Sequence, residues 1–183
     1  MQTMAQMFAS NRSAELEWLV SGAGSSSIIL IKTTSRGTIH LSPEDDGDSR
    51  GDVEPVVDWR TFSNPIDANI TAEFVKLARW FMQTEAMQET FAPVESSPGT
   101  DVETDEQIIE WIKERISPSN GHLVGTASLA PKELGGVVGP DLRVHGVEAL
   151  SVADNSIMTI IPGTHTSSTA YAIGEKVAMP LNS

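Results

Sequence analysis

The chain has 183 residues, a formal net charge of -13, 39% hydrophobic and 20% charged residues, and no cysteine. That length and balance suit a globular domain able to bury most of its apolar surface. The acidic surface repels nucleic-acid phosphates and anionic lipid, the lack of cysteine excludes disulfides and thiolate chemistry, and an apolar run such as Ile28–Ile31 is far too short to cross a bilayer.

In chain order, Met1, Met4, Met7 and Phe8 recur at three- to four-residue spacing, which predicts a short amphipathic helix within Met1–Glu17. Met1–Ser10 has no basic start followed by an apolar stretch, so no secretory signal is expected and a cytoplasmic setting is the default. Ser21–Ser27 is a glycine and serine turn. Its Gly22-Ala23-Gly24 opens no helix and lacks a third glycine, so it is not a dinucleotide fingerprint. Ser27–Lys32, Arg36–Leu41 and Glu54–Arg60 read as three successive strands of an antiparallel sheet, with an acidic loop over Pro43–Asp52 and Ser63-Asn64-Pro65 ending the third.

Two helices follow. Phe74, Leu77, Ala78 and Phe81 mark one buried stripe within Ile70–Met87. Thr104-Asp105-Glu106-Gln107 is a capping box, in which the threonine oxygen accepts from a free N–H and the glutamine reaches back to the cap. Ile108, Trp111, Ile112 and Arg115 line one face of the helix behind it, which Pro118 ends. The last third is rich in glycine and short apolar runs: Gly135–Val138, Leu142–Val144 and Leu150–Ala153. After Pro162-Gly163, Thr164 or Thr166 can cap a helix carrying Ala170, Tyr171, Ile173, Val177 and Ala178, with Pro180 as its stop. Two histidines, His122 and His165, each lie beside glycine and threonine where an extended run meets a turn. By spacing alone, such histidines are most often polar groups with a local partner. No close-set ligand spacing among the four histidines suggests a metal site.

Many short pieces occur in one order: Ser35-Arg36-Gly37-Thr38, Ser63-Asn64-Pro65 with Asp67, Pro98-Gly99, His122 with Gly125-Thr126, Gly136-Val137-Val138, Leu142-Arg143-Val144 with Gly146-Val147, Asp154 with Ser156-Ile157, and Ile173 with Glu175-Lys176. Together they resemble the C-terminal part of the glucose–methanol–choline (GMC) oxidoreductases, flavoenzymes that oxidise alcohols. The resemblance covers roughly residues 28–178. Gly139, Leu129 and Thr159 depart from it, standing where the family commonly has aspartate, methionine and proline.

The resemblance implies an α+β fold. Residues 1–27 would be an N-terminal segment and linker, 28–120 a substrate-binding portion with an antiparallel sheet backed by helices, and 121–183 a catalytic strand–helix segment that completes the FAD domain. The glycine-rich dinucleotide-binding domain that normally precedes these parts is absent from the sequence. The implied cofactor is FAD and the implied substrate a small-molecule alcohol; nucleic acid, membrane and metal are not expected. His122 resembles the catalytic histidine, and His165 its partner, which hydrogen-bonds the substrate oxygen and shares the acid/base role. A neutral imidazole suits a hydroxyl proton, because its ordinary pKa lies near working pH. Thr166 resembles a backbone contact to the flavin, at a helix end whose free N–H groups favour negative charge. Asp154 resembles the acidic residue at the flavin, and otherwise reads as a turn-forming aspartate. The chain alone is expected to be colourless and inactive, needing a flavin domain as partner or else self-associating. The alternative expectation is a non-catalytic remnant or accessory subunit that pairs with a flavin domain on another chain.

Overall fold

The computed structural model describes Ser10 and residues 14–21, 26–45, 47 and 53–181. Four strands lie among these: β1 (Leu16–Val20), β2 (Ser26–Leu30), β3 (Thr38–His40) and β4 (Val56–Asp58). The helices are α1 (Pro65–Met82), α2 (Glu85–Phe91), α3 (Asp105–Arg115) and α4 (Ser167–Leu181), with 3-10 turns at Lys132–Leu134 and Asn155–Ile157. The fold is thus α+β, with antiparallel strand pairs. It divides into two compact units, Leu16–Pro118 and a second built mainly from Ser119 onward.

The strands differ from the expected single three-stranded sheet. They form two separate antiparallel pairs, β1 with β2 and β3 with β4. The partner of β2 is β1, in register Leu16 opposite Leu30 and Val20 opposite Ser26. Leu16 and Glu17, the end of the segment read as an N-terminal helix, therefore open a strand, and the rest of that segment falls mostly outside the described residues. The hairpin β3–β4 needs glycine at its entry. A Cβ on Gly37 would lie 2.3 Å from the carbonyl oxygen of Asp58, closer than any side chain tolerates.

Helix α1 begins earlier than the stripe suggested. Asn64, read as a strand end, is its N-cap: the Asn64 side chain accepts from the Ile66 N–H at 3.2 Å, and Pro65 takes the first helical position. The buried face also differs. Ala68, Thr71, Ala72 and Val75 are buried at i, i+3, i+4 and i+7, whereas Leu77 and Phe81 remain 43% and 37% exposed. Small residues let α1 pack close to α3, whose Ile108 and Ile112 join Ala72 and Val75 in one core. Phe81 instead meets Trp18 of β1 edge to face, ring centroids 4.9 Å apart. Helix α3 starts where the capping box placed it: Gln107 N–H donates to Thr104 Oγ1, and Gln107 Oε1 accepts from Thr104 N–H at 3.0 Å. Lys76 of α1 donates to Asp105 at the start of α3 (2.8 Å). That hydrogen bond, helped by one to Glu73, holds the exposed ammonium above the usual lysine pKa.

Two polar clamps fasten the loops to α1. The carboxylate of Asp67, 1% exposed, accepts from Thr34 N–H (2.9 and 3.1 Å), Thr34 Oγ1 (2.8 Å) and Ser35 N–H (2.7 Å). Ser35 Oγ in turn accepts from Asn64 N–H at 3.1 Å. The second clamp is Arg79. Its guanidinium grips Glu95 through Nε and Nη2 (2.7–3.0 Å) and donates to the carbonyls of Val102 (2.7 Å) and Gly99 (3.0 Å). Both side chains are largely shielded from water, at 19% and 23% exposure. Arg79→Ala is expected to cost about 2–3 kcal/mol, because a charged partner and two carbonyls lose their donor together. Arg79→Lys should recover little, since one ammonium cannot reproduce the planar fork. Denaturant midpoints of the two variants check both statements.

Candidate active site

The site is built on the second unit. Its core is Val138, Leu142 and Ile157, packed by Val137, Val144, Val152 and, from α4, Ile173 and Val177. The apolar runs Leu142–Val144 and Leu150–Ala153 pair only through isolated bridges, Val138 with Val144 and Arg143 with Ser151. Their hydrogen bonds run through turns: Val144 N–H donates to the Leu150 carbonyl (3.0 Å), and Val152 N–H to that of Leu142 (3.1 Å). His145 Nε2 lies 3.0 Å from the Ala130 carbonyl, bracing the turn that follows the His122 segment.

Two elements bring His122 and His165 to one place. The first is the extended run after His122. Ala127 N–H donates to the Ser156 carbonyl (3.0 Å), and Leu129 N–H to that of Ile157 (2.9 Å). Gly125, at φ +85°, fits against the Met158 carbonyl with no room to spare, so the chain turns sharply there. The second element is α4. Thr166 begins it, its carbonyl accepting the first helical bond from Ala170 N–H at 2.9 Å. The helix runs to Leu181, past the proline expected to stop it. It is held to the Asn155–Ile157 turn by Ile157 against Ile173 and Val177.

The imidazoles of His122 and His165 meet edge to face, centroids 4.6 Å apart and planes at 88°. His122 is half-buried and His165 exposed. Thr166, directly after His165, is 2% exposed. Asp154 stands apart from this pair in its contacts: it is exposed, and Oδ1 accepts from Ser156 N–H at 2.8 Å, capping the 3-10 turn. Among the described residues, no group of three or more acidic or histidine side chains could hold a metal ion. No described helix is long and apolar enough to cross a membrane.

The profile of the GMC oxidoreductases matches residues 33–174, more than three-quarters of the chain. The chain belongs to that family. Glucose oxidase of Aspergillus carbonarius is 34% identical over 173 residues, covering 90% of this chain and 27% of its own. A solved fungal aryl-alcohol oxidase superimposes with a TM-score of 0.84 at 35% identity, over 96% of this chain and 29% of its own. An FAD-dependent oxidoreductase from Chaetomium thermophilum does so at 0.78 and 33%, over 91% and 27%. The chain spans about a quarter of the length of the curated relatives it matches.

GMC oxidoreductases are FAD-dependent, and the residues here fit such a group in their chemistry. The start of α4 offers backbone N–H groups that helix geometry leaves without internal partners. Asn155 Oδ1 is buried with no hydrogen-bond partner among the described residues, an acceptor that a ligand donor would satisfy. Sequence reasoning singled out Asp154 and passed over Asn155 beside it. Nothing in the pattern distinguishes the two until burial is known.

Proposed function

We propose that this chain is the substrate-facing and acid–base portion of an FAD-dependent oxidoreductase acting on the CH–OH group of a small alcohol. The observation that carries the reading is the paired imidazoles, 4.6 Å between centroids. Two imidazoles held this close can serve one substrate hydroxyl between them. His122 takes the hydroxyl proton, and His165 donates a hydrogen bond to the same oxygen. As the proton leaves, the oxygen gains negative charge, which an N–H donor stabilises more strongly than it did the alcohol. FAD, when bound, supplies the acceptor for the hydride of the same carbon. Asn155 and the opening turn of α4, with the backbone at Thr166, would hold the flavin.

The test joins the chain, in cis or in trans, to a GMC flavin-binding domain and offers benzyl alcohol and glucose as probes. We expect flavin absorbance and alcohol oxidation. His165→Ala and His122→Ala should each lower kcat about a hundredfold while flavin content holds. Full activity in both variants would overturn the assignment. Failure of the joined protein to take up flavin would favour an accessory chain without catalysis.

A further inference from the structure

We infer that Ser128 is a positioning residue for His122, a role that rests on the reading above. The segment from His122 to Leu129 is tied down mostly at its far end. Ala127 and Leu129 pair with Ser156 and Ile157, and Thr159 Oγ1 donates to the Leu129 carbonyl at 2.8 Å. Near the histidine the chain must instead be held across a tight turn, where Gly125 adopts φ +85°. One side chain bridges that turn: Ser128 Oγ donates to the Gly125 carbonyl at 2.6 Å, partly shielded from water.

Ser128 is well placed to pass rigidity on. Its own carbonyl accepts from Val137 N–H (2.9 Å) and Val138 N–H (3.3 Å), and Val138 is fully buried at the centre of the core. A path of single hydrogen bonds therefore runs from the core, through Ser128, to the peptide three residues beyond His122. Without the hydroxyl, no side chain holds Gly125 in its turn conformation, and glycine alone does not enforce it. The ring then samples positions away from His165, and a misplacement of about 1 Å is enough to lower a rate severely.

The experiment compares Ser128→Ala with Ser128→Thr, which restores a hydroxyl. In the full chain labelled at histidine, nuclear Overhauser contacts between the two imidazoles should weaken in Ser128→Ala and return in Ser128→Thr. In the flavin-joined enzyme, Ser128→Ala should lower kcat roughly tenfold with KM nearly unchanged. If Ser128→Ala does not fold, Ser128→Cys carries the same comparison with a weaker donor. A variant that shifts only Tm, leaving ring contacts and kcat as in the parent, overturns the inference. So does Ser128→Thr failing to restore either readout. The two proposals fail differently: an active His165→Ala enzyme sinks the functional reading, whereas a fully active Ser128→Ala beside an inactive His165→Ala sinks only this one.

Discussion

Asp67→Ala is expected to destabilise the Leu16–Pro118 unit by about 3–5 kcal/mol. Most of this comes from what the substitution leaves behind. Thr34 N–H, Thr34 Oγ1 and Ser35 N–H all point at the Asp67 carboxylate, and Asp67 is 1% exposed, so water reaches them poorly. Each shielded donor left without an acceptor costs roughly 1–3 kcal/mol. Asp67→Asn should rescue only part of the loss. Its amide offers one acceptor oxygen and turns an NH2 group toward at least one donor, so two hydrogens face each other. Urea titration by tryptophan fluorescence reads the effect. We expect the order parent, Asp67→Asn, Asp67→Ala in midpoint, with similar slopes. Equal midpoints for parent and Asp67→Ala would show that the clamp contributes little.

Gly136→Ala is expected to be at least as disruptive, by about 3 kcal/mol or more, and for a steric reason. A Cβ at this position would stand 1.8 Å from the Ala130 carbonyl oxygen and 2.3 Å from its carbon. Both are main-chain atoms, so no rotamer change relieves the overlap. The Ala130 carbonyl also meets His145 Nε2, and Leu129 beside it is bonded to Ile157. Moving Ala130 therefore disturbs both the brace under the turn and the anchorage of the His122 run. Circular dichroism melting should show a large drop in Tm, or no folded protein. A Tm within a degree or two of the parent would mean that the segment has slack that its hydrogen bonds do not suggest.

These two residues also show what a sequence can and cannot disclose. Asp67 and Gly136 are visible in the ordered pieces that resemble the GMC family, but the pieces do not say why they occur together. The structure supplies the reason: Asp67 accepts from the Thr34–Ser35 turn, and Ser35 accepts from Asn64, so motifs some 30 positions apart form one hydrogen-bonded knot. The capping box at Thr104 was readable because its chemistry is local. The start of α1 is ambiguous in the sequence because Asn-Pro serves equally well to end a strand or open a helix. Its buried face does not follow the large apolar residues, because close helix packing selects Ala68, Ala72 and Thr71. Strand β1 was hidden by a methionine pattern upstream, and pairing partners are not encoded in any one strand. For the site, the positions of the two histidines could be read from the resemblance. Their approach to 4.6 Å could not be read from a spacing of 43 residues; it depends on Ser156 and Ile157 receiving the His122 run and on α4 folding back over Ile157.

Each of the two units carries its own core, and the chain passes from one to the other between Pro118 and Ser119. Ile116 closes α3 before this seam, and Ser119 Oγ accepts from Gly121 N–H just after it. A residue gained or lost at the seam falls outside every strand and helix, so none of them changes register. Length changes are tolerated best at such places, so an insertion at this junction is expected to leave the imidazole pair downstream in its geometry.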